Sequence, residues 1–327
     1  MAIKRLFVAN RGEIAVRVLR TAKALGIETV IGVSAADKDS MGARMADRAV
    51  VLGRAPSPKS YLDVNLVVHA AVATGCDALH PGYGFLSEKP ELARLCEQEG
   101  IVFVGPRPDS IEILGDKISS RELAAQANVQ TVPGTDHIRT VEEAKQAADQ
   151  LGYPVVMKAT AGGGGRGMFK AVSPEELEAS FERAAREAES AFGDNRLYME
   201  RFVERARHVE VQIVGDGEGN VVHFGERDCT VQRRYQKLIE EAPATAVPDD
   251  VRKRLHESAV RLTSTAKYRN AGTVEFLYDV DRNDFYFIEV NSRIQVEHPV
   301  TEEITGRDLI ACQLRVAGGE GIGITQD

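Results

Sequence analysis

Cysteine is scarce and scattered in this sequence. Cys76, Cys96, Cys229 and Cys312 lie far apart with no CxxC pair, a spacing that suggests neither a zinc site nor a disulfide framework. No apolar run approaches the roughly 18 residues that a membrane span needs. The N-terminus runs straight into the strand-like Lys4-Arg-Leu-Phe-Val-Ala9 without a signal-peptide pattern. Basic charge is in deficit, since 41 Lys and Arg against 49 Asp and Glu leave a net charge of −8. That balance argues against a general nucleic-acid binder and suits a cytoplasmic enzyme. Internal repeats are absent, and one glycine loop is the only low-complexity stretch. The fingerprint Gly-x-Gly-x-x-Gly is missing as well. Only Asn10-Arg-Gly12 follows the first strand-like run, which disfavours an NAD-dependent oxidoreductase. What remains is a chain of ordinary globular composition, 43% hydrophobic and 28% charged, whose 327 residues suffice for two or three packed domains.

Taken in order, residues 4–9 read as a strand, 10–13 as a turn, 14–25 as a helix closed by Gly26, and 28–34 as a second strand. Strand, helix and strand in that order imply a parallel βαβ unit. The pattern repeats through a helix at 62–74, a strand at 78–80, a helix at 90–99 and a strand at 101–104, so residues 1–115 read as a doubly wound α/β domain. A helix at 117–127 and a linker Thr131-Val-Pro-Gly-Thr135 lead into a small α+β unit, which reaches residue 203. Its expected elements are helices at 141–151 and 174–191 and strands at 154–158, 168–172 and 197–200. The remainder, 204–327, reads as hairpin strands at 208–214 and 221–226, a basic loop at 227–237, a helix at 248–267, a second hairpin and a helix at 305–317.

The second hairpin carries the strongest chemistry. Gly272-Thr-Val-Glu-Phe-Leu-Tyr278 and Asp284-Phe-Tyr-Phe-Ile flank a polar turn, Glu275 interrupts the first strand, and Glu289 ends the second. Two carboxylates in an apolar hairpin are costly unless a cation neutralises them. With Asn291 they form an all-oxygen set suited to Mg²⁺, or alternatively they make structural salt bridges. Arg293, Gln295 and Glu297 follow at once; an Arg fork beside a carboxylate can hold a small planar oxyanion and deprotonate it. The loop Ala161-Gly-Gly-Gly-Gly-Arg-Gly167 joins two strands. It reads as a phosphate-covering lid, with Lys158 before it, or as a surface hairpin. Lys117 stands at a helix entrance, where a lysine reaches a phosphate or is solvated. In His80-Pro-Gly-Tyr-Gly-Phe-Leu-Ser-Glu88, Tyr83 sits where doubly wound sheets bind ligands, though a plain turn is the alternative. Gln232, Arg233, Arg234 and Lys237 face an anion or solvent. Cys229 reads as a passive buried thiol.

Asn10-Arg-Gly-Glu-Ile-Ala15, His80-Pro-Gly-Tyr-Gly-Phe-Leu-Ser-Glu88, Gly162-Gly-Gly-Gly-Arg-Gly-Met168, Glu226-Arg-Asp-Cys229 with Gln232-Arg-Arg234, and Asn291-Ser-Arg-Ile-Gln-Val-Glu-His-Pro299 together closely resemble the biotin carboxylase family. The resemblance spans nearly the whole chain. It implies an ATP-grasp fold: an N-terminal doubly wound parallel-sheet domain (1–115), a linker helix and glycine-loop lid (116–203), and a partial antiparallel-sheet domain (204–327). It implies carboxylation of biotin on a carrier by ATP and bicarbonate, with two Mg²⁺ or Mn²⁺. Lys117, Lys158, Gly163, Gly164, Gly165, His208 and Gln232 match ATP-binding positions, with Glu200 and Leu277 near the adenine. Tyr235, near the ribose, replaces a histidine common in the family. Glu275, Glu289 and Asn291 match metal positions. Arg293, Gln295, Val296 and Glu297 match the bicarbonate site, with Glu297 the base, while Lys237 lies near the transferring phosphate and Tyr83 beside biotin. Implied partners are a biotin carboxyl carrier protein or domain, a carboxyltransferase and a second copy of the chain, in the cytoplasm and in processes such as fatty acid biosynthesis. The family also continues past residue 327 through a segment that completes the third domain and carries an arginine near the biotin ureido oxygen, so a C-terminal truncation is expected. The competing expectations are another ATP-grasp carboxylate–amine ligase and a nucleotide-binding module inactive through that truncation.

Overall fold

A computed structural model describes residues 3–159, 168–193, 195–234 and 236–326. The first part alternates strands and helices: β1 (Arg5–Val8), α1 (Gly12–Ala24), β2 (Glu28–Ser34), α2 (Met41–Met45), β3 (Arg48–Gly53), α3 (Val64–Ala73), β4 (Ala78–His80), α4 (Pro90–Gln98), β5 (Val102–Phe103) and α5 (Pro108–Gly115). The five strands pair in parallel in the order β3-β2-β1-β4-β5. Successive β1 residues feed opposite cores, Leu6 and Val8 on one face and Phe7 on the other, as a sheet covered on both sides requires. The strand order reverses between β1 and β4, and the loops leaving these two strands border the crevice where such sheets bind ligands. Asn10 ties the two loops together by donating to the carbonyls of Pro81 (2.7 Å) and Tyr83 (2.8 Å). Three elements lie outside the sequence expectation: α2, β3 and α5. Strand β3 is a largely exposed edge, so no hydrophobic alternation announces it.

The second part holds α6 (Lys117–Gln126), β6 (Gly134–Ile138), α7 (Val141–Leu151), β7 (Val155–Ala159), β8 (Met168–Ala171), α8 (Pro174–Phe192) and β9 (Leu197–Arg201). Its strands form an antiparallel sheet in the order β6-β9-β7-β8. Helices α7 and α8 pack on it through Ala144, Ala148, Leu177, Phe181 and Ala184, which meet Met157 and Met199. A capping box of Thr140 and Glu143 starts α7. The stretch expected as a linker is partly strand. Polar β6 has no apolar pattern of its own and is held by hydrogen bonds from the edge of β9, while Thr131 bridges to Phe287 in the next sheet.

The third part contains β10 (Ala206–Asp216), β11 (Val221–Arg233), β12 (Gln236–Glu241), α9 (Asp249–Thr265), β13 (Arg269–Asp279), β14 (Asp284–Asn291), α10 (His298–Thr305) and α11 (Leu309–Ala317). The antiparallel order is β12-β11-β10-β13-β14, with α9 covering one face through Val251, Leu255, Ala259 and Leu262. Two expectations are corrected here. Most of 227–237 is strand rather than loop, because β11 pairs with β10 and β12 and Arg227, Asp228, Gln232 and Lys237 find partners there, while Arg233, Arg234 and Gln236 stay exposed. The expected helix 305–317 is α11, which starts at Leu309, where Asp308 caps it by accepting from Ala311 N at 2.8 Å. The residues before it form an additional helix, α10, which ends at Gly306, whose φ of +65° stops the turn. No described helix is long and apolar enough to cross a membrane.

Candidate active site

Strand register builds the site. Arg227 on β11 faces Glu210 on β10, Glu210 faces Glu275 on β13, and Glu275 faces Glu289 on β14. Four charged residues therefore form one row across four strands. In β10, His208, Glu210 and Gln212 alternate with Val209, Val211 and Ile213, so one face is apolar and the other polar. Both faces are nonetheless buried at residues 209–213, which obliges the polar face to find partners.

Arg227 is wholly buried. It donates to Glu210 Oε1 (2.5 Å), Gln212 Oε1 (2.9 Å), Thr301 Oγ1 (2.8 Å) and Thr273 Oγ1 (3.3 Å). Lys237, from β12, crosses above the row. Its Nζ donates to Glu210 Oε2, to Glu275 Oε1 at 2.8 Å and to Glu297 Oε1 at 2.7 Å. Burial alone would lower the Lys237 ammonium, but Glu210 and Glu275 outweigh it and raise the pKa well above the ordinary lysine value. In return, burial opposes but Lys237 lowers the Glu297 carboxyl. The Glu275 carboxyl is lowered against burial by His208 and Lys237. His208 Nε2 lies 3.0 Å from Glu275 Oε2, close enough for an ion pair though off the line of a hydrogen bond. Gln232 Nε2 lies 3.0 Å from the other ring nitrogen of His208 and donates to the Cys229 carbonyl at 2.8 Å. Cys229 is buried, and burial pushes its thiol up.

Glu289 differs from its row-mates. It has no hydrogen-bond or ion-pair partner among the described residues, and loss of water around it, then the charges of Glu275 and Glu88, raise its carboxyl. Its side chain still meets solvent, so screening tempers that rise. Asn291 donates to Glu275 Oε1 at 2.8 Å and accepts from Arg293 Nη2 at 3.1 Å. Glu275, Glu289 and Asn291 thus stand together. Three atoms of His208, Glu210 and Glu275 also lie within 4.8 Å of one another, in a geometry that could hold a cation.

Beyond Asn291 the chain forms a donor-rich corner. Arg293 Nη1 donates to Gln295 Oε1 at 3.0 Å, and Arg293 Nε sits 3.0 Å from Glu88 of the loop after β4. Among the described residues, buried Gln295 Nε2 has no partner, and Arg293 Nε has none in line. Two buried donors without aligned acceptors mark a place for an acceptor from outside. Val296, between Gln295 and Glu297, is 57% exposed. Tyr83 donates to Glu13 Oε1 at 2.5 Å. Burial, then that carboxylate, raises its phenol, with Glu297 and Arg293 close enough to be felt.

On the other side of the cleft, Lys117 opens α6 behind the Asp116 cap. Burial, then the neighbouring Lys158, lowers its ammonium, against the pull of Glu289. Lys158 donates to Glu200 Oε2 at 2.5 Å, and Arg121 fills Glu200 Oε1. The Glu200 carboxylate, expected near an adenine, is thus taken by two cations. Leu277 packs with Tyr286, Val132 and Val203, facing His208 across the register. Gly163, Gly164, Gly165 and Tyr235 lie outside the described residues. The structure therefore gathers two groups, one around Lys237 and one around Lys158. Glu210, Arg227, Arg121, Glu88 and Glu13 were given no role from the sequence; Arg227, Glu88 and Glu13 lie within quoted motifs, Glu210 lies in the polar alternation of β10, and Arg121 carried no signal.

Comparison with known proteins agrees with this architecture. The family model "Biotin carboxylase, N-terminal domain" matches residues 2–111, and "Carbamoyl-phosphate synthase L chain, ATP binding domain" matches 116–325. The chain is 51% identical over 325 residues to "Biotin carboxylase 2, chloroplastic" of Populus trichocarpa, covering 99% of this chain but 62% of that protein. It is 49% identical over 326 residues to "Biotin carboxylase 1" of Bacillus subtilis, covering 99% and 72%. Among solved structures, the biotin carboxylase domain dimer of 2-oxoglutarate carboxylase from Hydrogenobacter thermophilus, in complex with MgADP, ADP and bicarbonate, superposes with a TM-score of 0.90 at 46% identity. That match covers all of this chain and 72% of the other. The chain spans about three fifths of the length of the chloroplast relative, and its three-sheet arrangement is the ATP-grasp fold. The family models together match residues 2–111 and 116–325, and the chain belongs to the biotin carboxylase family.

Proposed function

We propose that this chain carries out ATP-dependent carboxylation of a biotin borne on a carrier protein, with bicarbonate as carbon donor and carboxyphosphate as intermediate. The observation that carries this reading is the corner of Arg293 and Gln295, where two buried donors lack aligned acceptors beside an ionised carboxylate, Glu297, held by Lys237. The corner suits a small planar oxyanion that must be both gripped and deprotonated. A relative crystallised with MgADP and bicarbonate supports it.

Glu275, Glu289 and Asn291 fit a divalent cation, because Glu289 is a carboxylate without a partner among the described residues and faces a second carboxylate. A Mg²⁺ bound there would neutralise charge on the nucleotide phosphates. Lys117 and Lys158 would bind the phosphates, and the glycine loop joining β7 to β8 would cover them. Arg293 and Gln295 would orient bicarbonate and Lys237 would stand by the transferring phosphoryl group. As the bicarbonate oxygen bonds to the γ-phosphorus, ADP leaves and Glu297 takes the bicarbonate proton. Carboxyphosphate then yields CO₂ and phosphate; CO₂ bonds to the biotin N1′, whose proton passes to the phosphate. Tyr83, at the crevice between β1 and β4, would border the biotin. In this reading 1–115, 116–203 and 204–327 act as N-terminal domain, lid and catalytic domain. A carboxyl carrier and a carboxyltransferase are the partners, a second copy pairs with the chain, and the cytoplasm is the setting.

The test is phosphate release from Mg-ATP with and without bicarbonate and free biotin. Bicarbonate-dependent release, raised further by biotin, is expected. Release indifferent to bicarbonate would point to a different ATP-dependent ligase, and MgADP binding without any release would make the chain a nucleotide-binding module.

A further inference from the structure

Helix α6 carries a second cation one turn beyond Lys117. Arg121 follows at i+4, so the two side chains share a face. Arg121 reaches from α6 to the lid sheet, where Nη1 donates to Glu200 Oε1 and Nη2 to the Val132 carbonyl at 3.4 Å. The second Glu200 oxygen accepts from Lys158 Nζ. Glu200 is 5% exposed, so both oxygens are filled by cations. Lys158 keeps about a quarter of its side chain open, 27%.

The charge balance gives Arg121 a task. A buried carboxylate with a single cation makes a closed neutral pair, and any anion that wants the cation must compete with the carboxylate. With two cations on one carboxylate, the group keeps a net positive charge. We infer that Arg121 is a positioning residue for nucleotide binding: it neutralises Glu200, leaves the charge of Lys158 to face the cleft, and pins α6 to the lid so that Lys117 and Lys158 converge on one anion. The inference rests on the nucleotide-binding reading above. Arg121 touches no substrate itself; it acts through Glu200.

The test compares wild type with Arg121→Met, Arg121→Lys, Glu200→Gln and the Arg121→Met/Glu200→Gln double variant. MgADP affinity is measured by calorimetry, and KM and kcat by bicarbonate-dependent phosphate release. Arg121→Met should weaken MgADP and raise the KM for ATP about tenfold, the factor that a lost interaction of about 1.4 kcal/mol represents, with kcat little changed. Arg121→Lys, which keeps the charge, should recover most of the loss. In the Glu200→Gln background Arg121→Met should cost little, because no carboxylate remains to neutralise. If the methionine variant does not fold, Arg121→Gln serves for the same comparison. Unchanged affinity in the neutral variants, or an equal loss with and without Glu200, would overturn the inference. Wild-type protein that binds no MgADP would instead refute the nucleotide reading on which it stands.

Discussion

Lys237→Met removes the one cation shared by Glu210, Glu275 and Glu297 while keeping side-chain length. Afterwards Arg227 still holds Glu210 and His208 still lies beside Glu275, but Glu297 loses its ion-pair partner. Removing one member of a buried ion pair costs about 3–5 kcal/mol. Because Lys237 is 18% exposed, the low end, about 3 kcal/mol at pH 7, is the expected loss. The pH dependence has a definite sign. Glu275 and Glu297 are held below the ordinary carboxylate value. Their contribution is therefore present above the unfolded pKa of about 4.3 and is lost as pH falls through the folded one. The variant lacks that contribution, so the gap between the proteins should be full at pH 7 and shrink below about pH 4.5. Urea unfolding followed by circular dichroism reads this directly, as a midpoint lower by roughly 1 M or more at pH 7. Equal midpoints at pH 7, or a gap that stays constant as pH falls to about 2, the folded value of Glu275, would show that the carboxylates do not depend on Lys237 and would refute the reasoning.

Two further perturbations separate chemistry from packing. Glu297→Gln should lower bicarbonate-dependent phosphate release by about 10²–10⁴, the range for loss of a general base, while MgADP affinity by calorimetry stays near wild type; a glutamine variant with the wild-type rate would remove Glu297 from the mechanism. Gly215→Ala puts a Cβ 2.1 Å from the Tyr268 carbonyl oxygen in the β10–β13 pairing, where backbone cannot yield cheaply. Thermal unfolding should show about 2 kcal/mol or more of destabilisation, and an unchanged Tm would contradict the close approach.

Parts of the site were legible because local rules leave little freedom. Glu275 and Glu289 belong to two strands joined by a short turn, so their alternation and the turn brought them opposite each other with few alternatives. Lys117 at a helix start, capped by Asp116, was readable for the same reason. Strands β3, β6 and β12 were not, because edge strands and short polar strands are held by hydrogen bonds from a neighbour rather than by an apolar pattern of their own. The roles expected for the glycine loop and Tyr235 rest on sequence, since those residues lie outside the described structure.

By itself the sequence determined the parallel α/β unit, the helices of the lid and the acidic hairpin, since helix closure, period-two alternation and short turns act over a few residues. Only the tertiary structure decided which polar groups face one another. Period two marks a polar face on β10 but cannot say that β13, some 60 residues on, lies against it. That pairing puts Glu210 between Arg227 and Glu275 and brings Lys237 above them. It turns buried carboxylates that would otherwise be costly into a neutralised row with one carboxylate, Glu289, left open to a ligand.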